Sequence, residues 1–288
     1  MKSQQSYGET NLGTLYLIPT PIGNLEDMTF RAIQTLKDVD LIACEDTRVT
    51  QKLLNHFGID TEKISYHEHN IHTQTSELLG KLLAGKNIAQ VSDAGMPSIS
   101  DPGVELVAAA VTKSIPVVPL PGPNAALTAL IASGISPQPF TFYGFLSRKK
   151  TELNEELEAL KDKTETLIFY ESPYRLKQLL QSLTEVFGAE RRVVLAREIT
   201  KRYEEFIRGT AEEVKKWSEE TDLRGEFVVI VEGNDAVEED HYWTDWTVLE
   251  HLDYKMKFEK MSNKQAIKEV AKEREVPKRE VYAEYHKK

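Results

Sequence analysis

A short run with two carboxylates and a guanidinium follows an apolar segment near residue 44. Glu45, Asp46 and Arg48 lie together in the sequence EDTR. A carboxylate can draw the proton from a hydroxyl group, and an arginine can orient a phosphate or a developing negative charge. The same side chains can instead form an ion pair or cap a helix. We therefore treat Glu45, Asp46 and Arg48 as candidate catalytic residues, with the structural role as the open alternative.

Three loops rich in glycine and proline form a second candidate site. They span Pro19–Leu25, Ser92–Gly103 and Pro121–Ala126, and each directly follows an apolar segment typical of a buried strand. Glycine lets a ligand approach the backbone closely, and proline fixes the shape of a loop. In open α/β sheets, ligands bind at the carboxyl ends of the strands. Three such loops at one sheet edge predict a ligand-binding site there.

Other nucleotide-binding and metal-binding patterns are not supported. The sequence has no GxGxxG fingerprint of a dinucleotide-binding fold. The segment Gly80–Asn87 resembles a phosphate-binding loop, but Asn87 replaces the Ser or Thr that binds magnesium, and the order of strand and helix is reversed. His67, His69 and His72 lack helical spacing and cysteine partners, so we expect no metal site.

The elements that must position these loops alternate between short apolar strands and helical segments. Five segments have the length and composition of buried strands: Thr14–Pro19, Leu41–Cys44, Ile64–Tyr66, Ile88–Ser92 and Ile115–Leu120. Four helical patterns lie between or beside them: Thr29–Leu36, Thr50–His56, Thr75–Ala84 and Gly103–Thr112. This alternation predicts a mostly parallel α/β sheet.

The segment Pro119–Asn124 predicts a boundary between two α/β units, because it is rich in proline and glycine. Further strand-like segments follow it: Phe140–Tyr143, Thr166–Tyr170, Arg192–Ala196, Glu204–Ile207 and Glu226–Val231. An acidic stretch then precedes two helical segments, Ser262–Arg274 and Lys278–Tyr285. The predicted organisation is an α/β domain at residues 1–122, a second at 123–234, and a hinge with a helix-turn-helix-like tail at 235–288.

Composition and charge restrict the setting and the partners. No apolar run reaches the ~20 residues of a membrane helix, and the first residues lack a signal-peptide core. With Cys44 as the one cysteine, a reducing cytoplasm is expected. The net charge is −10, but residues 255–288 contain 11 Lys/Arg and 6 Asp/Glu, a net of +5, which leaves −15 for the rest. A basic tail on an acidic body suggests contact with nucleic acid.

Several long motifs occur in an order that resembles one known family. They are TLYLIPTPIGNLEDMTFRA, CEDTR, SDAGMPSISDPG, PGPNA, YGFLSRK, YESPYR and AREITKRYEE, within about residues 12–233. This combination is similar to the ribosomal RNA small subunit methyltransferase I family of the tetrapyrrole-methylase superfamily. The resemblance implies the two-domain α/β tetrapyrrole-methylase fold of the class III methyltransferases, S-adenosylmethionine in the cleft between the domains, and a homodimer. It also implies 2′-O-methylation of a cytidine in the decoding region of 16S rRNA, in the small ribosomal subunit.

The resemblance also implies roles for individual residues. The superfamily has a Gly-Asp-Pro core in the loop after the fourth strand, where this sequence has Gly95, Met96 and Pro97, with Asp93 as the nearby acidic residue. The residues implied to bind the cofactor are Pro21, Asp93, Ala94, Gly95, Met96, Pro97, Ile99, Asn124, Ala125, Glu171 and Glu226. The basic residues that are candidates for RNA phosphate contacts are Arg148, Lys149, Lys150, Arg175, Arg197, Lys201 and Arg202.

Two other functions fit parts of the pattern. The same fold could methylate a small tetrapyrrole, or the chain could be a non-catalytic RNA-binding protein of ribosome assembly. The basic tail favours RNA over a porphyrin-like substrate, and the three loops favour catalysis over binding alone. Tyr143, Phe145 and Tyr174 are candidates for stacking on bases, with a core position as the alternative for Phe145.

Overall fold

The computed structural model describes residues 3–6, 8, 11–234, 243, 245–274 and 276–286. The chain forms two compact units, Met1–Asn234 and Asp235–Lys288. Within the described residues, the first unit has two five-stranded sheets and the second has three helices. Among the described residues, no helix is long and apolar enough to cross a bilayer.

The first sheet is wholly parallel, as the sequence predicts. Its strands are β1 (Leu15–Leu17), β2 (Leu41–Cys44), β3 (Lys63–Ser65), β4 (Ile88–Val91) and β5 (Val117–Pro119), in the order β3-β2-β4-β1-β5. The helices between them are α1 (Phe30–Asp38), α2 (Thr47–Phe57), α3 (Ile71–Leu83) and α4 (Val104–Thr112). Every residue of β2 and β4 is buried, because apolar clusters cover both faces of the sheet.

The second sheet is mixed. The elements after β5 are α5 (Ala125–Ser133), β6 (Phe140–Phe145), α6 (Lys150–Leu160), β7 (Thr166–Glu171), α7 (Pro173–Phe187), β8 (Arg192–Arg197), β9 (Glu205–Thr210), α8 (Ala211–Glu220) and β10 (Phe227–Val231). The strand order is β6-β7-β10-β8-β9, in which β6 and β7 are parallel and the other neighbours are antiparallel. The last strand of this unit therefore occupies the centre of the sheet.

Alternating side chains of the second sheet pack in two separate apolar clusters. Leu167 and Phe169 of β7 pack in a cluster with leucines of α6 and α7, whereas Ile168 packs in a cluster with Leu130 of α5. Successive side chains of a strand point to opposite faces, so both faces of this sheet are covered by helices. Glu171, at the end of β7, continues the series of Leu167 and Phe169, which places a carboxylate on an apolar face.

Some elements differ from the sequence prediction. The helix α5 was not predicted, because its sequence AALTALIAS is apolar on nearly every face and shows no helical periodicity. The side chain of Asn124 starts this helix by accepting the Leu127 backbone N–H at 2.8 Å. The helix α2 begins at Thr47, three residues before the predicted start, because Asp46 serves as its N-cap.

The second unit is a small helical assembly. It contains α9 (Val248–Lys257), α10 (Asn263–Glu273) and α11 (Lys278–Tyr285) around an apolar cluster that includes Leu252, Ile267 and Val281. The predicted helices match α10 and α11, but α9 was missed because the apolar residues that it packs against come from later in the chain. Most of the predicted acidic hinge, residues 235–242 and 244, lies outside the described residues.

Candidate functional site

The three glycine- and proline-rich loops meet at the carboxyl edge of the first sheet, because β4, β1 and β5 are neighbours. The backbones of Thr20 and Gly95 exchange hydrogen bonds of 2.9 and 3.0 Å. The Thr20 hydroxyl donates to the Ser92 carbonyl at 3.0 Å. Asn124, in the third loop, contacts the Met96 sulfur at 3.7 Å. The loops therefore form one connected edge.

The long loop Ser92–Gly103 is held by Gln90, a buried side chain near the end of β4. Its amide nitrogen donates to the Ser98 hydroxyl and to the Pro102 carbonyl, both at 3.0 Å. Gly103 packs so closely on this amide that a Cβ atom would collide with Gln90 and Ser98. Gly95 has a φ of 78°, in the left-handed region that glycine adopts without strain. The two glycines are thus required by the shape of the loop.

A cavity of about 520 Å³ opens between these loops and the second sheet. Nine of the eleven residues expected to bind the cofactor line it: Asp93, Ala94, Gly95, Met96, Ile99, Asn124, Ala125, Glu171 and Glu226. Pro21 and Pro97 belong to the same loops but lie outside this lining. The volume falls in the range of small-molecule sites.

Several residues of the cavity wall were not expected from the sequence to belong to the cofactor site. They include Ile22, Asp101, Phe145, Tyr170, Glu198 and Phe227. Glu198 could have been predicted from the sequence, because a polar residue directly after a strand lies at the ligand edge of an α/β sheet. Phe227 could not have been predicted from the sequence, since its position opposite Glu171 depends on the pairing of β10 with β7.

The cavity wall is acidic. Its described ionisable residues include Asp93, Asp101, Glu171, Glu198, Glu226 and Lys201. Lys201, which the sequence analysis assigned to RNA, donates to Glu198 at 2.8 Å and to Glu226 at 3.0 Å. Burial raises the pKa values of Asp93 and Asp101 above the ordinary value of an aspartate. A concave wall with an excess of carboxylates favours a cationic ligand.

Glu171 is the most deeply buried of these carboxylates. Its side chain is 1% exposed, and the Ser172 backbone N–H donates to Glu171 Oε1 at 2.8 Å. The Arg175 guanidinium lies 3.5 Å from Glu171 Oε2. Burial raises the pKa of the Glu171 carboxyl, and the Ser172 hydrogen bond and the Arg175 charge only partly oppose this shift.

The segment Glu45–Arg48 links β2 to α2 beside the same sheet edge. Asp46 Oδ1 accepts the Arg48 backbone N–H at 2.7 Å, which caps α2. The Arg48 guanidinium donates to both carboxylate oxygens of Asp46, at 2.6 Å in the shortest contact. These bonds hold the pKa of Asp46 well below the ordinary value. Asp46 therefore makes both the helix cap and the ion pair that the structural alternative expects.

Glu45, Asp46 and Arg48 are not among the described residues that line the cavity. The backbone N–H of Asp46 nevertheless donates to Asp93 Oδ1 at 3.1 Å, so the segment contacts the cavity wall. Burial raises the pKa of Glu45, with added repulsion from neighbouring carboxylates that include Asp101 and Asp93. Of the three candidates, Glu45 keeps the properties of a proton acceptor, whereas both carboxylate oxygens of Asp46 already accept hydrogen bonds from Arg48.

The basic residues expected to contact RNA fall into two groups. Arg175 donates to the carbonyls of Leu146 and Ser147, and Arg197 donates to the Arg224 carbonyl, so both support the fold. Lys201 belongs to the cavity, as described above. The exposed members are Arg148, Lys149, Lys150 and Arg202. Lys149 and Lys150 pair with Glu152 and Glu185, and Arg202 lies over the Tyr203 ring.

The structure also shows where the candidate aromatic and histidine residues lie. Phe145 is 58% exposed and lines the cavity, and Tyr143 and Tyr174 are exposed as well. His67 and His69 lie side by side with ring centres 5.8 Å apart. Within the described ranges, no group of three or more His, Cys, Asp or Glu side chains is arranged to hold a metal ion.

Comparison with known proteins adds the family context. The sequence model of the tetrapyrrole (corrin/porphyrin) methylases matches residues 14–215. The chain is 55% identical over 99% of both sequences to a ribosomal RNA small subunit methyltransferase I of Bacillus subtilis, and 53% identical, with the same coverage, to that of Halalkalibacterium halodurans. A uroporphyrin-III C-methyltransferase from Thermus thermophilus, solved with S-adenosyl homocysteine, matches with a TM-score of 0.55 at 18% identity, over 76% of this chain and 97% of that one.

Proposed function

Because the chain belongs to the ribosomal RNA small subunit methyltransferase I family, within the tetrapyrrole methylases, we propose that it transfers a methyl group from S-adenosylmethionine to a cytidine of 16S rRNA. The acceptor in this proposal is the ribose 2′-oxygen of a cytidine in the decoding region. The observation that carries the proposal is the acidic cavity beside the three glycine- and proline-rich loops.

The residues of the cavity fit the methyl donor. S-adenosylmethionine has a positive sulfonium and an ammonium group, and the wall offers the carboxylates of Asp93, Asp101 and Glu226. The backbone at Ala94 and Gly95 is open to close approach, because Gly95 has no side chain. When bound, the donor supplies a methyl group that its sulfonium makes electrophilic.

The task of the protein is then to position the two reactants and to exclude water. The loop Ser92–Gly103 is fixed by Gln90, and the third loop is fixed by the Asn124 cap of α5. Thr200 donates to Asp27 Oδ2 at 2.5 Å, a contact between the second sheet's loops and the segment after the first loop. A rigid frame of this kind holds reacting atoms in line, which accounts for much of the rate of a transfer reaction.

Exposed cations offer contacts for the RNA backbone. In the first unit they include Arg48, Arg148 and Arg202. In the second unit, Lys264, Lys268 and Lys272 follow one another at intervals of four residues along α10, and all three are exposed. Side chains four residues apart lie on one helix face, so α10 presents a basic stripe suited to phosphates.

We also propose that the chain acts as a homodimer. Leu127 and Ile131 lie one helical turn apart on α5, and both are exposed, Ile131 by 81%. An apolar face of this kind is stabilised when a second copy covers it. Analytical ultracentrifugation should give a dimer for the wild-type chain and a shift towards monomer for Ile131→Glu. A wild-type monomer at micromolar concentration would contradict the dimer.

The direct test of the function is methyl transfer with a labelled donor. The substrates are small ribosomal subunits from cells that lack this enzyme, with large subunits and a porphyrinogen as parallel acceptors. The expected result is label in the small subunit alone, recovered as 2′-O-methylcytidine after digestion. Label on a base would overturn the proposed position. Label on the porphyrinogen would support the tetrapyrrole alternative, and donor binding without transfer would support the non-catalytic one.

A further inference from the structure

One oxygen of the cavity wall lacks the partner that its burial calls for. Glu171 Oε2 is buried and receives no hydrogen bond from any residue that the structure describes. The other oxygen, Oε1, accepts the Ser172 backbone N–H at 2.8 Å and lies 3.4 Å from the Ser172 hydroxyl. The carboxylate is therefore fixed through one oxygen, while the second is left available. Buried acceptors are rarely left unpaired, so a group outside the chain is the expected donor.

Arg175 does not fill this role. Its Nη2 atom is 3.5 Å from Glu171 Oε2, without hydrogen-bond geometry, and donates instead to the carbonyls of Leu146 at 3.0 Å and Ser147 at 2.7 Å. The guanidinium thus stabilises the charge of the carboxylate without occupying its free oxygen. This arrangement leaves an ionisable acceptor that is oriented and desolvated.

The other carboxylates of the described wall differ from Glu171 in this respect. Asp93 Oδ1 accepts the Asp46 N–H at 3.1 Å, and neither oxygen of Asp101 is both buried and unpartnered. Glu198 and Glu226 both accept from Lys201. In the described cavity wall, Glu171 Oε2 is the carboxylate oxygen that is both buried and unpartnered.

The surroundings of Glu171 suit a nucleotide. Phe145 lines the same cavity with most of its ring exposed, and its ring meets that of Tyr170 edge to face at 5.6 Å. Tyr174, the second residue of α7, is 95% exposed. Proteins that bind unpaired RNA nucleotides hold the splayed base against such aromatic side chains. Because Phe145 and Glu171 line the same cavity, a base held on Phe145 would place its ribose in the cavity that Glu171 lines.

We propose that Glu171 is the general base of the reaction, and that its Oε2 atom accepts the proton of the substrate ribose 2′-hydroxyl as that oxygen takes the methyl group. The inference rests on the proposed function. The hydroxyl O–H bond breaks as its proton moves to the carboxylate. The oxygen–carbon bond forms as the donor's carbon–sulfur bond breaks, and the sulfur keeps that electron pair as a neutral thioether. Glu171 ends the step as a neutral carboxylic acid and returns the proton to water.

The ionisation of Glu171 gives the proposal a pH signature. The acting form is the deprotonated one, and burial raises its pKa, so the rate should fall as the pH falls through this raised value. The charged groups that face the site are Arg175 on α7, Lys201, Glu198 and Glu226 at the second sheet, and Asp93 and Asp101 on the opposite loop.

The test uses the full-length protein with the change Glu171→Gln, which keeps the size of the side chain. At saturating donor, the single-turnover rate on small subunits should fall at least about 100-fold, the usual contribution of a general base. The donor Kd measured by calorimetry should stay within about threefold of wild type, since the amide still fills the wall. Glu171→Asp should recover part of the rate. Glu165→Gln, directly before the start of β7, is the matched control and should behave as wild type.

Two results would overturn the inference. A wild-type rate for Glu171→Gln would do so, and so would a loss confined to donor affinity, which would make Glu171 a binding residue. A second readout does not depend on turnover: infrared difference spectra of wild-type protein should show a buried carboxyl that titrates and is missing in Glu171→Gln. The failure of the proposed function is distinct, because wild-type enzyme would then label a position other than a ribose, whatever the variant does.

Discussion

Two carboxylate–arginine pairs stand at strand–helix junctions of the same unit, and they differ in burial. Asp46 and Arg48 follow β2, with side chains 27% and 87% exposed, and Arg48 donates to both carboxylate oxygens. Glu171 ends β7 and Arg175 lies in α7; here the carboxylate is 1% exposed and one of its oxygens has no hydrogen bond. Each pair joins a carboxylate to an arginine, but only the second carboxylate has a buried, unpartnered oxygen and lines the cavity.

The difference shows how the environment sets the chemistry of a carboxylate. Hydrogen bonds from Arg48 lower the pKa of Asp46, which makes it a poor proton acceptor. Desolvation raises the pKa of Glu171, which brings it closer to the range useful for proton transfer. The exposed pair starts a helix, whereas the buried carboxylate has an oxygen that can accept a proton.

The largest predicted effect on stability comes from removing the half-buried arginine of the second pair. Arg175→Ala leaves Glu171 without its countercharge and leaves the Leu146 and Ser147 carbonyls without their donor. We expect a loss of about 2 kcal/mol in the free energy of unfolding, measured by urea denaturation. We also expect the rate–pH profile to move to higher pH, since the pKa of Glu171 loses an interaction that lowers it. Arg48→Ala, the matched change in the exposed pair, should do neither.

A second prediction tests whether the cavity is the donor site. In Gly95→Leu, the new Cβ atom would lie 3.4 Å from Ile22 Cγ2, at a backbone φ of 78°. The added side chain would enter the cavity wall beside the backbone contact with Thr20. The Kd for S-adenosylmethionine should rise at least tenfold by calorimetry. Gly134→Leu has a similar φ of 82°, but its side chain enters open space at the end of α5, so it controls for strain. Equal donor affinity in both folded variants would rule out the placement.

A smaller effect is expected from the basic stripe of α10. Changing Lys264, Lys268 and Lys272 together to glutamine should weaken binding to small subunits several-fold and flatten its salt dependence by roughly 2 in the log–log slope. Donor affinity should not change. The control is a triple glutamine variant at exposed lysines of the first unit, Lys37, Lys113 and Lys216. If both triple variants show the same slope, α10 does not contact the RNA.

The smallest effect belongs to the exposed pair. Asp46→Ala removes the N-cap of α2 and its ion pair, so the melting temperature should fall by a few degrees while donor affinity is retained. Thr210→Ala, which removes the cap of α8 far along the chain, should give a similar shift. An unchanged melting temperature together with a complete loss of methyl transfer would make Asp46 catalytic and remove the basis of the comparison.

Much of the site could be predicted because its loops follow buried strands. The apolar runs before Pro19, Ser92 and Pro121 reveal the strands, and glycine and proline mark the ligand edge. The burial of Glu171 could not be predicted from periodicity, because it depends on Phe227 of β10, more than fifty residues later, lying opposite it. For the same reason the sequence does not distinguish Asp46 from Glu171. Hydrogen bonding and solvent access are set by the packing of distant segments.

The second unit shows the same limit. The basic residues from Lys255 onwards are visible in the sequence, but the apolar cluster of the unit also includes α9, which begins at Val248. A truncation at Asp253 would cut through α9, remove the apolar partners of Leu252, and confuse loss of folding with loss of RNA contact. Surface substitutions on α10 avoid this problem.

The most direct test of the account compares the two carboxylates under one condition. Glu171→Gln and Asp46→Asn each replace a carboxylate with its amide, and each is measured by single-turnover methyl transfer at saturating S-adenosylmethionine. We predict a rate at least about 100-fold below wild type for Glu171→Gln and a rate within about threefold of wild type for Asp46→Asn, which can still cap α2. Equal losses in the two variants, or a greater loss for Asp46→Asn, would contradict the account.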